Sequence, residues 1–131
     1  EPAWIVVHDA VRPFITAELV ERVLAAARIP GGATCGWPVR ETVKSVRDSV
    51  VEATLPRDGL WLTQTPQAFR RELLREAHDK AVRDGFSATD DAMLVERLGG
   101  RVAMVQGLAR NIKITTPEDL TSARGLLGRR R

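Results

Sequence analysis

An acid and a guanidinium three residues apart, Asp9 and Arg12, stand directly after the apolar run Trp4-Ile5-Val6-Val7. Arg12 stays charged and forks bidentately onto phosphate, while a carboxylate is the usual protein anchor for Mg²⁺ beside substrate phosphates. The pair points to phosphate chemistry, although a turn-forming Asp and its salt-bridge partner have the same spacing. Lys113, flanked by Ile112 and Ile114, offers a compact cation that could neutralise a phosphate as charge develops. A solvent-facing strand would display the same lysine. Asp90 could accept polyol hydroxyls and Thr89 could serve a phosphate oxygen at the positive end of a helix. The alternative is that these residues only cap that helix, with Ser87 and Asp90 fitting a capping box. Thr42 and Arg57 either reach a neighbouring active site or decorate an exposed arm. His8 is either a base or a hydrogen-bonded residue at a strand end. His78, beside Asp79 and Lys80, reads as solvated surface, and Trp4, Trp37 and Trp61 read as core and arm contacts.

The elements that must position these groups alternate between strand and helix patterns, which predicts an α/β fold with a mostly parallel sheet. The opening apolar run reads as a central parallel strand covered on both faces. Ligands of such sheets bind outside the carboxyl ends of the strands, where Asp9 and Arg12 would sit. Thr16 is a candidate N-cap for a helix over about 17 to 28, stopped by Pro30-Gly31-Gly32, and a second strand follows over 33 to 39. From about 38 to 64, β-prone runs around polar turns predict a long hairpin that protrudes as an arm. Such a ribbon is marginal alone and needs a body or a second subunit to pack on. Thr65-Pro66 reads as the start of a helix with proline in its first position, buried through Phe69, Leu73, Leu74, Ala77 and Ala81 and stopped at Gly85. A short helix carrying Met93, Leu94, Val95 and Leu98 ends at Gly99-Gly100, and a strand over about 101 to 105 follows. Residues 111–115 alternate as a strand, and Thr116-Pro117-Glu118-Asp119 is a capping box for the last helix. The whole of 1–131 reads as one domain.

A chain of 131 residues, 44% hydrophobic and 28% charged, is long enough to bury a real core. No apolar run approaches the ~20 residues that cross a bilayer, no signal peptide opens the chain, and a cytoplasmic protein is expected. The single Cys35 excludes an internal disulfide framework and a multi-cysteine zinc site. Arg129, Arg130 and Arg131 supply the whole +3 net charge as a tail, and no aromatic interleaving makes it a nucleic-acid motif. No Ser-His-Asp set, HExxH, CxxC, GxGxxG or P-loop is present. The opening Glu-Pro-Ala, just before a strand expected to be central, reads as the start of a piece of a longer protein.

Five stretches occur in a telling order: His8-Asp9-Ala10-Val11-Arg12-Pro13, Pro38-Val39-Arg40-Glu41-Thr42-Val43-Lys44, Thr65-Pro66-Gln67-Ala68-Phe69, Thr89-Asp90-Asp91-Ala92, and Asn111 to Leu120. Together they resemble the 2-C-methyl-D-erythritol 4-phosphate cytidylyltransferases of the non-mevalonate isoprenoid pathway. The resemblance implies a Rossmann-like nucleotidyltransferase fold, a homodimer made by crossed β-arms, and Mg²⁺-dependent transfer of CMP from CTP. It implies that Asp9 and Arg12 bind methylerythritol phosphate, with Asp9 near the metal and Ala10 among the cofactor-binding residues. Thr89 and Asp90 are further substrate contacts by the same resemblance, and Lys113 steadies the α-phosphate. Thr42 and Arg57 serve the partner subunit's pocket. The family's Gly-rich triphosphate loop has no counterpart here, so the chain is expected to have little activity by itself. Arg110 stands where relatives often carry an acid, which weakens any second metal carboxylate. A ribitol 5-phosphate cytidylyltransferase shares the first motif, and a non-catalytic dimerisation module is a reading of another class.

Overall fold

The computed structural model describes residues 2–128, so the arginine tail lies outside the described residues. Its elements are β1 (Trp4–Val7), α1 (Ala17–Ala27), β2 (Gly32–Pro38), β3 (Val43–Arg47), β4 (Val50–Leu55), β5 (Trp61–Arg70), α2 (Arg71–Asp84), α3 (Asp91–Arg97), β6 (Ala103–Gln106) and α4 (Pro117–Gly128). The α/β class is as expected. The main sheet has the order β1-β5-β2-β6. Strand β5 is antiparallel to both neighbours, and β2 pairs with β6 in parallel. Strands β1, β2 and β6 therefore share one direction, with the antiparallel β5 between them, and the expected parallel sheet is found only in part. Within the described residues β1 is an edge strand and not a central one, and Val6 is 40% exposed.

Period-two alternation along β5 divides the core. Ala68 joins Ala33 and Cys35 under α1, whose buried stripe Leu19, Val23 and Ala27 follows the helical repeat. Phe69 turns to the other face, against Leu74, Ala77 and Ala81 of α2 and Ala92, Leu94 and Val95 of α3. Helices thus cover both faces of the sheet. Each fully buried Leu, Val or Phe contributes roughly 1.5–3 kcal/mol, so this pattern fixes which way the strand ends point.

Thr16 caps α1 as predicted, its side chain accepting from the Leu19 N–H at 3.2 Å. Helix α2 ends at Gly85 in the left-handed conformation (φ 63°), which costs glycine little. Its start differs from expectation. Pro66 does not open a helix: it lies within β5, after a cis peptide bond, and α2 begins at Arg71. The β1 ladder stops at the Val7 and Gln67 pair, and the β2 ladder shifts register between Ala33 and Cys35. Pro66 falls in that gap, where no partner requires an N–H. Residues 111–115 form no ladder strand either. The segment is tethered to the first turn by the Ile114 N–H donating to Val11 O at 2.9 Å. The arm is shorter than predicted, because Trp61 and Leu62 already belong to β5. Its ribbon β3–β4 turns at Asp48 and Ser49, both with positive φ, the geometry of a tight two-residue hairpin.

Candidate functional site

Beyond the end of β1 the chain folds into a turn closed by the Arg12 N–H donating to Asp9 O at 3.0 Å. A ring of contacts holds it. His8 Nε2 pairs with Arg12 O at 2.8 Å, and His8 Nδ1 pairs with Thr65 Oγ1 at 2.8 Å. Thr65 Oγ1 also accepts from the Asp9 N–H at 3.0 Å. One assignment satisfies all three: Thr65 donates to Nδ1, and Nε2–H donates to the carbonyl. His8 is the hydrogen-bonded strand-end residue, not a base facing the groove.

Arg12 is the most enclosed of the site cations, with its side chain 11% exposed. Its Nε donates to Asp9 Oδ2 at 3.0 Å and its Nη1 to Asn111 O at 2.8 Å. Nη2 keeps no hydrogen bond among the described residues. Lys113 Nζ lies 3.9 Å from the same Asp9 oxygen, on a side chain 51% exposed. Two cations thus share one carboxylate, an arrangement left with net positive charge. Asp90 is the N-cap of α3, with Oδ1 accepting from the Met93 N–H at 2.8 Å. Ser87 makes no such cap, because the helix begins only at Asp91. Asp9, Arg12, Lys113, Thr89 and Asp90 meet in one open groove of about 280 Å³, together with Thr63, Gln64, Thr65 and Gln67. The sequence-predicted residues of the body are therefore together, Ala10 excepted. Ala10 is exposed on the turn and does not line the groove. Thr42 and Arg57 are exposed at the arm, and Arg57 Nη1 donates to Arg40 O, outside their own chain's groove.

Two supporting residues carried no signal of their own beyond lying in motifs. Asn111, fully buried, donates from Nδ2 to Thr65 O at 2.7 Å and to Gln64 Oε1 at 3.2 Å while its carbonyl holds Arg12. Gln67, 1% exposed, donates to Asp90 Oδ2 at 3.0 Å. A polar residue inside a buried strand is the clue that would have found Gln67, since an unpaired amide there is costly. Cys35 has no place in the groove: burial pushes its thiol up to about 11.

No group of three or more His, Cys, Asp or Glu that could hold a metal exists among the described residues. Asp9 is the one carboxylate beside the cations. Only its Oδ2 is engaged, and one carboxylate together with substrate phosphates and water is an ordinary Mg²⁺ ligand set.

Residues 1–129 match the family model described as 2-C-methyl-D-erythritol 4-phosphate cytidylyltransferase, IspD. The chain belongs to that family. A relative of the same name from Syntrophotalea carbinolica is 50% identical over 123 residues, 94% of this chain and 53% of its own length. The Geobacter metallireducens relative has the same identity and coverage. The crystal structure of 2-C-methyl-D-erythritol 4-phosphate cytidylyltransferase from Thermus thermophilus superposes with a TM-score of 0.88 at 45% identity, over 95% of this chain and 62% of that one. The chain spans about half the length of the curated cytidylyltransferase relatives it matches. Among the described residues no helix is long and apolar enough to cross a membrane.

Proposed function

We propose that this chain supplies the acceptor side of an enzyme that transfers CMP from CTP to 2-C-methyl-D-erythritol 4-phosphate. The observation that carries the reading is the convergence of Arg12, Lys113, Asp9, Thr89 and Asp90 in one groove of a cytidylyltransferase-family fold. In the proposed reaction an oxygen of the acceptor phosphate forms a bond to the α-phosphorus of CTP as the bond to the leaving pyrophosphate breaks. The nucleophile is already an anion, so no general base is needed. What the protein must do is hold two anions in line and screen their repulsion.

Arg12 would hold the acceptor phosphate through its uncommitted Nη2, its other nitrogens being fixed by Asp9 and Asn111. Lys113, more exposed, is suited to charge that develops at the α-phosphate. Thr89 would contact the acceptor, and Asp90 would accept its hydroxyls. Asp9 would hold Mg²⁺, which would supply positive charge to screen the repulsion of the phosphates. Among the described residues the ribbon β3–β4 pairs with no other strand and exposes Val46, Val50, Val51 and Leu55. It supports a homodimer in which Thr42 and Arg57 reach the neighbouring groove.

The test is pyrophosphate release from CTP by the full-length protein, with 2-C-methyl-D-erythritol 4-phosphate and ribitol 5-phosphate offered separately. Release with the first is expected. Turnover of ribitol 5-phosphate alone would move the assignment to that acceptor, and release with neither would favour a non-catalytic dimerisation module.

A further inference from the structure

We infer that Gln67 is a positioning residue that sets the aim of Asp90 and, through it, the recognition of the acceptor's hydroxyls. The inference rests on the acceptor-groove reading above. Gln67 is buried in β5, and its carboxamide is used at both ends. Nε2 donates to Asp90 Oδ2 and to Thr34 Oγ1, each at 3.0 Å, and Oε1 accepts from the Ala92 N–H at 3.2 Å. Thr34 is itself buried in β2, its hydroxyl 3.3 Å from Gln64 O. A line of polar contacts therefore runs from the middle of the sheet to the rim of the groove.

The chemistry of Asp90 follows from this line. Helix capping by the Met93 N–H fixes Oδ1, and Gln67 fixes Oδ2. With both oxygens held, the carboxylate cannot swing to meet a cation. Its remaining lone pairs are presented to the groove as fixed acceptors, the complement of donor hydroxyls on a polyol. The same line makes the carboxamide irreplaceable by its acid. A carboxylate at position 67 would still accept from Ala92, but would face Asp90 as a like charge with no proton to donate.

The experiment compares the wild-type chain with Gln67→Glu and Thr34→Val at about pH 8, far above the ordinary glutamate range. Amide hydrogen exchange is read at Ala92 and Met93, and calorimetric titration uses 2-C-methyl-D-erythritol 4-phosphate and inorganic phosphate as probes. In Gln67→Glu the Met93 amide should exchange about tenfold faster while Ala92 stays protected, because the donation to Asp90 is lost and the acceptor for the Ala92 N–H is kept. Polyol phosphate should bind about tenfold more weakly, with inorganic phosphate changed by less than about twofold. Thr34→Val, which touches no ligand, should show the same pattern at about a third of the size, and it decides the matter where Gln67→Glu does not fold. Unchanged Met93 exchange, or equal weakening of both probes, overturns the role of Gln67. Failure of the wild type to bind the polyol phosphate overturns the acceptor reading instead, and the exchange data still judge whether Gln67 holds Asp90.

Discussion

Asp9 is shared by two cations of different character, and that difference separates their roles. Arg12 is nearly enclosed and committed on two sides, whereas Lys113 reaches the same oxygen from 3.9 Å on a half-exposed stem. Arg12→Lys would leave one ammonium to serve Asp9, the Asn111 carbonyl and a phosphate, contacts that the guanidinium divides among three nitrogens. In the full-length protein this substitution should raise KM for the acceptor by about tenfold or more with a smaller change in kcat. Lys113→Gln should do the reverse, lowering kcat by about 10²-fold while acceptor KM changes little, since its charge matters most as charge develops. Steady-state kinetics with pyrophosphate detection checks both. Equal effects on kcat and KM from the two substitutions would remove the division of labour. Residue types alone left Asp9, Arg12 and Lys113 open to a plain structural reading as well as to phosphate, and it was the order of the motifs and the resemblance they carry that joined them into one site. Gln67 and Asn111 were not, because a buried amide shows its purpose only once its partners are known.

At the scale of elements, local chemistry was a good guide where a cap decides the outcome and a poor one where a ladder does. The box at 116–119 forms as the sequence predicts: Thr116 Oγ1 accepts from the Asp119 N–H at 3.2 Å, and Asp119 Oδ2 accepts from the Thr116 N–H at 3.0 Å. Hydrogen bonding from the Thr115 backbone, then from the Thr116 side chain, holds the Asp119 carboxyl below the usual aspartate range. A carboxyl depressed in the folded state contributes stability above its unfolded pKa and loses it as pH falls through the folded value. Asp119→Asn should therefore lower Tm at neutral pH, and the gap to wild type should shrink below about pH 4. Thermal melts at the two pH values check this, and a gap independent of pH would assign the effect to shape and not to charge. Thr65-Pro66 shows the opposite case. Its dipeptide fits a helix start as well as a strand, and only the register of β1 and β2 against β5, both far away in sequence, excludes the helix. Residues 111–115 were misread for a related reason: they form no ladder, and alternation signals an extended chain, not the presence of a neighbour to pair with.

The whole molecule poses the question of what covers the arm. Val46, Val50, Val51 and Leu55 are 58, 65, 52 and 42% exposed on a ribbon that joins no other sheet among the described residues. An isolated two-stranded ribbon is marginal in water, and in the proposed homodimer a second copy, related by two-fold symmetry, would cover it. Thr42 and Arg57 lie on this arm and outside their own groove. If the arm completes the neighbouring groove, each site draws Arg12 from one subunit and Arg57 from the other. Arg12→Ala and Arg57→Ala homodimers are then each defective at both sites. When the two variants are mixed, unfolded and refolded together, about half the dimers are mixed by random pairing. In every mixed dimer one groove combines both substitutions, while the other has an intact Arg12 beside an intact Arg57. About one quarter of wild-type acceptor-binding capacity should return, measured by titration calorimetry of the refolded mixture. Sites built within a single subunit behave differently under the same mixing: each groove in a mixed dimer then lacks one arginine, and no capacity returns.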